Sequence, residues 1–177
     1  VFRYTIQSGD NDTNGISIGA NALALNSGTI SDPAGNNSTL THSLVDNNSS
    51  YKVDTILPNV SSVGITSATG RQNNFVNVPD VVSVTGTFSE VVNVSGTPTL
   101  TLFVGSDNRT ASYASGTGSD DLVFQYTIQS GDNDTNGISI GANAIALNSG
   151  TISDPAGNNS TLTHSLVDNN SSYKVDT

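Results

Sequence analysis

The chain has 177 residues, five Lys plus Arg against 15 Asp plus Glu, a formal net charge of −10, and no Cys, Met or Trp. This excludes a disulfide framework, a thiolate metal site and a Cys nucleophile, and it leaves no basic patch to neutralise phosphates, so nucleic acid is not an expected partner. No apolar run approaches the roughly 18 residues of a membrane span, so no membrane insertion is expected, and with neither a signal peptide nor an initiator Met the sequence reads as a mature piece or an excerpt of something longer.

Residues 1–55 return at 123–177 with an offset of 122, changed only where Arg3 becomes Gln125 and Leu23 becomes Ile145, so 53 of 55 positions agree. Such agreement is a tandem duplication, and its period fits one β-domain. Residues 56–177 then make one complete unit, with 56–122 as its first half and 123–177 as its second. Residues 1–55 are the C-terminal half of a preceding unit.

Within 1–55 the first motif is "DNDTNG" at Asp10–Gly15, repeated at Asp132–Gly137. It matches the first half of a calcium loop: carboxylates at positions 1 and 3, an amide oxygen at 5, a Gly at 6 and a main-chain carbonyl at 7. The candidate ligands are Asp10, Asp12, Asn14 and Ile16, and in the second copy Asp132, Asp134, Asn136 and Ile138. Position 12 is Asn21 or Asn143 rather than Glu, which excludes a complete helix-loop-helix site. A polar turn between strands that needs no metal fits the same residues. Each copy has one His, His42 or His164, in "TLTHS", where alternation makes it a strand residue. No G-x-S-x-G elbow, phosphate-binding Gly loop or H-E-x-x-H occurs, so no enzyme is expected.

The strands follow in order. Val60–Thr66 alternates after Pro58. "VVSVTGTFSE" (Val81–Glu90) places Val82, Val84 and Phe88 in phase. "TPTLTLFVG" (Thr97–Gly105) puts Leu100, Leu102 and Val104 on one face and Thr99, Thr101 and Phe103 on the other. "DLVFQYTIQ" (Asp121–Gln129) aligns Leu122, Phe124, Tyr126 and Ile128. "ANAIALNSG" (Ala142–Gly150) reads as loop or a short 3₁₀ turn, and "STLTHSL" (Ser160–Leu166) and "SYKVD" (Ser172–Asp176) as closing strands. The expected fold is all-β: tandem immunoglobulin-like antiparallel β-sandwich repeats with about seven strands per unit.

"FSEVVNVSGTPTLTLFVG", "YTIQSGDNDTNGISIGANAIALNSGTISDPAGNNSTLTHS" and "YKVDT" resemble, over the whole 122-residue period, the immunoglobulin-like repeats of giant bacterial surface proteins. These are the swimming-motility surface-protein repeats and the extender domains of large repeat-in-toxin adhesins. Family members read "VDTTAP" at the unit boundary, where this chain has "VDTILP" (Val53–Pro58). The resemblance implies extracellular extender domains on a bacterial surface, arrayed in tandem and stiffened by calcium. In such arrays acids at the junction hold an interdomain calcium. The matching positions are Asp32 and Asp154 in "SDPAGN", Asp54 and Asp176 in "VDT", and Glu90, the only Glu of the chain. Without a metal, Asp32 begins an Asp-Pro turn, Asp54 caps a strand end and Glu90 is a strand-edge charge.

The expected function is therefore mechanical: an extender repeat of an adhesin or surface fibre, partnered by neighbouring repeats. Two alternatives remain at this stage. One is a β-sandwich that binds glycan, ice or another cell through a Thr-rich face. The other is a filament subunit in which 1–55 of one chain is completed by 56–122 of the next, a head-to-tail self-association.

Overall fold

The computed structural model describes all 177 residues, which divide into two compact units, Val1–Ile56 and Leu57–Thr177. The first unit has little regular structure. Its strands are β1 (Asn11–Asp12) and β2 (Val53–Asp54), an antiparallel pair.

The second unit is an antiparallel β-sandwich with no helix. Its strands are β3 (Val60–Ala68), β4 (Phe75–Val76), β5 (Val81–Ser95), β6 (Thr99–Val104), β7 (Asp107–Ser115), β8 (Ser119–Thr127), β9 (Ser139–Ala146), β10 (Thr151–Ser153) and β11 (Lys174–Val175). A seven-stranded sheet runs β10-β5-β8-β7-β6-β9, with β3 also on β5. It curls so that its two ends face each other: a side chain at Gly86 of β5 would meet the Ile145 methyl from β9. The long β5 makes the turn, pairing β3 and β8 along its first half and β10 at Asn93–Ser95.

Alternation explains the core. Val82, Val84 and Phe88 of β5, Leu100, Leu102 and Val104 of β6, and Leu122, Phe124 and Tyr126 of β8 all point inward and are buried, as does Ile128 just beyond β8. Their odd-phase neighbours Ser83, Thr85 and Thr87 take the other face, the two-residue period of a strand. Ala142–Gly150, expected as loop or 3₁₀, is instead mostly strand. β9 pairs β6 through Leu100↔Ile145 and Leu102↔Ile140. A bulge lies between those pairs, and Asn143 there takes φ 55°. Burial of the two isoleucines overrides the helical preference of the alanines. Ser160–Leu166, expected as a strand, holds only single bridges at its edges, Thr161 to Asn59 and Val167 to Ile140.

The first and last residues of this unit lie at opposite poles. Asn59, just before β3, exchanges backbone and side-chain bonds with Ser89. Asp176 sits in a depression with Gly70 and Asp80, beyond the far end of β3. Nine residues of β3 separate the two, about 26 Å at 3.3 Å per step.

The shared half keeps its local bonding in both units. Ile16 and Ile138 donate to Tyr51 and Tyr173, Ile18 pairs with Val45 as Ile140 does with Val167, and Asp32 and Asp154 close the same turn. Long strands are what differ. Residues 17–24, the counterpart of β9, form no strand in the first unit, because that unit contains no counterpart of β6.

Candidate functional site

The "DNDTNG" loop of the second unit begins just after β8 and ends where β9 approaches. Asp132 is fully buried. Its Oδ1 accepts from Arg109 Nε of β7 at 2.7 Å, and its Oδ2 accepts from the Tyr126 hydroxyl at 2.7 Å and Gln129 N–H at 2.9 Å. Burial alone would raise the Asp132 pKa. The Tyr126 hydroxyl, the Gln129 N–H and the Arg109 guanidinium outweigh it and hold the carboxyl below its ordinary value. Tyr126 is pushed up to about 12, by burial first and then by its bond to the carboxylate.

Asp134, also buried, is saturated by backbone donors: Asn136 and Gly137 N–H on Oδ1 at 3.0 and 2.8 Å, and Gly105 N–H on Oδ2 at 2.8 Å. The Ile138 carbonyl accepts from Asn170 N–H, and the Ile138 side chain lies in the core. The Thr177 hydroxyl clasps the loop by donating to the Asp132 carbonyl and accepting from Gly131 N–H. The residues expected as a calcium loop, Asp132, Asp134, Asn136 and Ile138, are here engaged in hydrogen bonds, the arrangement of the metal-free polar turn that the same sequence also allows. The carboxylates that would face a cation face N–H donors, and the six residues work as a hydrogen-bonded turn that anchors β7 and β11. The first copy behaves alike: Asp12 accepts from Asn14 and Gly15, Asn48 donates to the Ile16 carbonyl, and Asp10 accepts from Tyr4 and Gln7.

The junction acids are dispersed between roles. Asp32 is exposed, and the Asn36 side-chain amide is the first of the donors that lower its pKa. Asp54 caps the end of β2 through Ile56 N–H at 3.0 Å. Asp176 is exposed near Asp80. Within the second unit, Glu90 and Asp154 come together, with carboxylate oxygens within 4.8 Å. Asp154 is buried and accepts from both the backbone and side-chain N–H of Asn158, at 2.8 and 2.7 Å. Two close carboxylates on hard oxygen suit calcium in donor chemistry, although they fill a minority of its usual 6–8 ligands.

His164 has both ring nitrogens engaged. Nε2 accepts from Ala144 N–H at 2.8 Å, and Nδ1 donates to the Ser165 carbonyl at 2.7 Å. The ring thus ties the irregular segment after β10 to β9. The hydroxyl face of β3, β5 and β8 is bonded internally, with Thr66 to Thr85, Thr87 to Asp121 and Gln125 to Ser83. Sequence reasoning missed Arg109 and the Gly105 N–H. Both lie near β7, a strand whose run "DNRTASYAS" has too few large apolar residues to announce itself. No protein-family model, curated protein or solved structure matches the chain.

Proposed function

We propose that the chain is structural, an extender segment of a bacterial extracellular adhesin or surface fibre. The observation that supports this best is the placement of the ends of unit 57–177 at opposite poles, about 26 Å apart along β3. Units joined in sequence through such ends add length rather than bulk.

The terminal elements also suit load. β3 pairs β5 along Val60–Ala68, and β11 pairs β4 in parallel at Phe75–Val76. Pulling on either end loads each set of ladder bonds together, in shear, rather than opening them one by one. Pro58, fixed in φ, stiffens the approach to β3, and its carbonyl accepts from Thr161 N–H. Calcium enters this reading through Glu90 and Asp154, where a bound ion would cancel the repulsion between adjacent carboxylates. Small-angle scattering on chains of one, two and four joined units tests the reading. The maximum dimension should rise by a constant increment per unit, and a compact particle that grows with the cube root of mass would overturn it.

A further inference from the structure

The two copies of the shared half differ in what covers them. Phe124, Ile138 and Ile152 are 0, 0 and 2% exposed, whereas their counterparts Phe2, Ile16 and Ile30 are 82, 44 and 47% exposed. In the second unit the cover is the segment 57–122. It supplies Val76, Val82, Val84, Leu100 and Leu102 to the same core. It also supplies two polar contacts, Arg109 to Asp132 and Gly105 N–H to Asp134. In the first unit Asp10 and Asp12 keep only their local donors. The uncovered face thus combines an apolar floor with two carboxylates set for a guanidinium and a backbone N–H.

We propose that residues 1–55 are an acceptor face for an additional polypeptide segment of the residue 57–122 pattern. It would dock as β3–β8 dock on 123–177 and place an arginine against Asp10. The chain's own 57–122 cannot fill this role. Asp54 would have to take the place of Asp176, beyond the far end of β3, while Asn59 stays at the near end. The five Cα-to-Cα steps between them, through four intervening residues, reach about 18 Å at full extension, short of the roughly 26 Å along β3. A second copy of the chain does not fill it either. Each chain holds one donor half and two acceptor halves, so exchange between copies uncovers one acceptor for every one it covers. The strand-exchanged filament anticipated from sequence therefore leaves as much apolar surface bare as the separate chains. This inference rests on the repeat and on unit geometry, and it stands or falls independently of the extender reading.

The test compares the 177-residue chain with the same chain carrying a second copy of residues 57–122 ahead of residue 1, by amide hydrogen exchange and light scattering. The chain alone should exchange rapidly across 1–55 and slowly across 123–177. The extended chain, now with two donors for two acceptors, should be a monomer in which exchange across 1–55 slows at least 100-fold. Replacing the added arginine equivalent to Arg109 by Gln should speed exchange across 1–55 again and leave 57–177 unchanged. Unaltered exchange across 1–55 in an extended chain whose 57–177 remains protected overturns the proposal. Protection of 1–55 in the original chain, as monomer or oligomer, overturns it equally.

Discussion

Arg109 Nε lies 2.7 Å from Asp132 Oδ1, and it ties the middle of the sheet to the loop that leads into β9. The Asp132 side chain is fully buried, while that of Arg109 is 31% exposed, so the pair is a buried anion met by a cation at its solvent edge. Removing Asp132 leaves Arg109 at the solvent edge with Asp107 at 3.2 Å as its remaining partner, so the cost falls on the buried Tyr126 hydroxyl and the Gln129 N–H that lose their acceptor.

Asp132→Ala should therefore destabilise unit 57–177 by about 2–4 kcal/mol, because Tyr126, Gln129 and Arg109 lose one shared acceptor. The same substitution at Asp10, whose donors are exposed, should cost far less. Paired thermal melts of the two variants check this. Equal losses would mean that burial is not what gives Asp132 its weight.

The pH dependence follows from the same residues. Asp132 has a lowered folded-state pKa. The unfolded chain thus binds its proton first as pH falls, and the stabilisation present above about pH 4 is lost on acidification through the folded value. Tyr126 has the opposite sign. Its pKa rises from 10.0 to about 12, so its contribution is complete below pH 10 and is lost between pH 10 and about 12, where the unfolded tyrosine ionises first. Melts from pH 9 to 12 should show wild type falling toward Tyr126→Phe, which lacks that titration. Parallel curves would remove Tyr126 from the account.

Much of the fold was legible because β5, β6 and β8 alternate strictly. Leu100, Leu102 and Val104 announce a buried face without any tertiary information. β7 was not legible, since Ala111 and Tyr113 are its only inward-facing apolar residues of note, and β9 was hidden by its bulge at Asn143. The site was half legible. "DNDTNG" announces a tight acidic turn, but whether its carboxylates meet a cation or N–H donors depends on what lies across from them. Arg109 stands 23 residues before Asp132, and only the β7–β8 pairing brings it there. Asp132 is thus a residue whose type is local and whose role is tertiary.

Two glycines separate backbone strain from crowding. Gly131 (φ 93°) has open space where a Cβ would stand, whereas at Gly137 (φ 103°) a Cβ would collide with the Asn170 carbonyl. Gly131→Ala should cost about 1–2 kcal/mol from conformation alone. Gly137→Ala should cost more than the unit can spare, since the loop backbone must move and break the Asp134 contacts. Urea titration of both variants checks the order, and a milder effect at Gly137 would contradict the packing of residues 170–171 on this turn.

The last prediction separates the two acidic places that could meet calcium. In the "DNDTNG" loop, a cation would have to displace three N–H donors from Asp134, each a better partner for a carboxylate than water is. At Glu90 and Asp154, a cation would bridge two carboxylates that already lie within 4.8 Å, beside the two Asn158 donors that Asp154 accepts. A ligand at about 100 times its dissociation constant adds about 2.7 kcal/mol of stability. The quantity to measure is therefore the rise in melting temperature on replacing EDTA by millimolar calcium, rather than the melting temperature itself. That rise should persist in Asp134→Asn, although this variant starts from a lower stability, and should vanish in Glu90→Gln. If the rise disappears in Asp134→Asn and survives in Glu90→Gln, the loop binds the metal and its N–H donors give way to it. No rise in wild type removes calcium from the proposed extender reading.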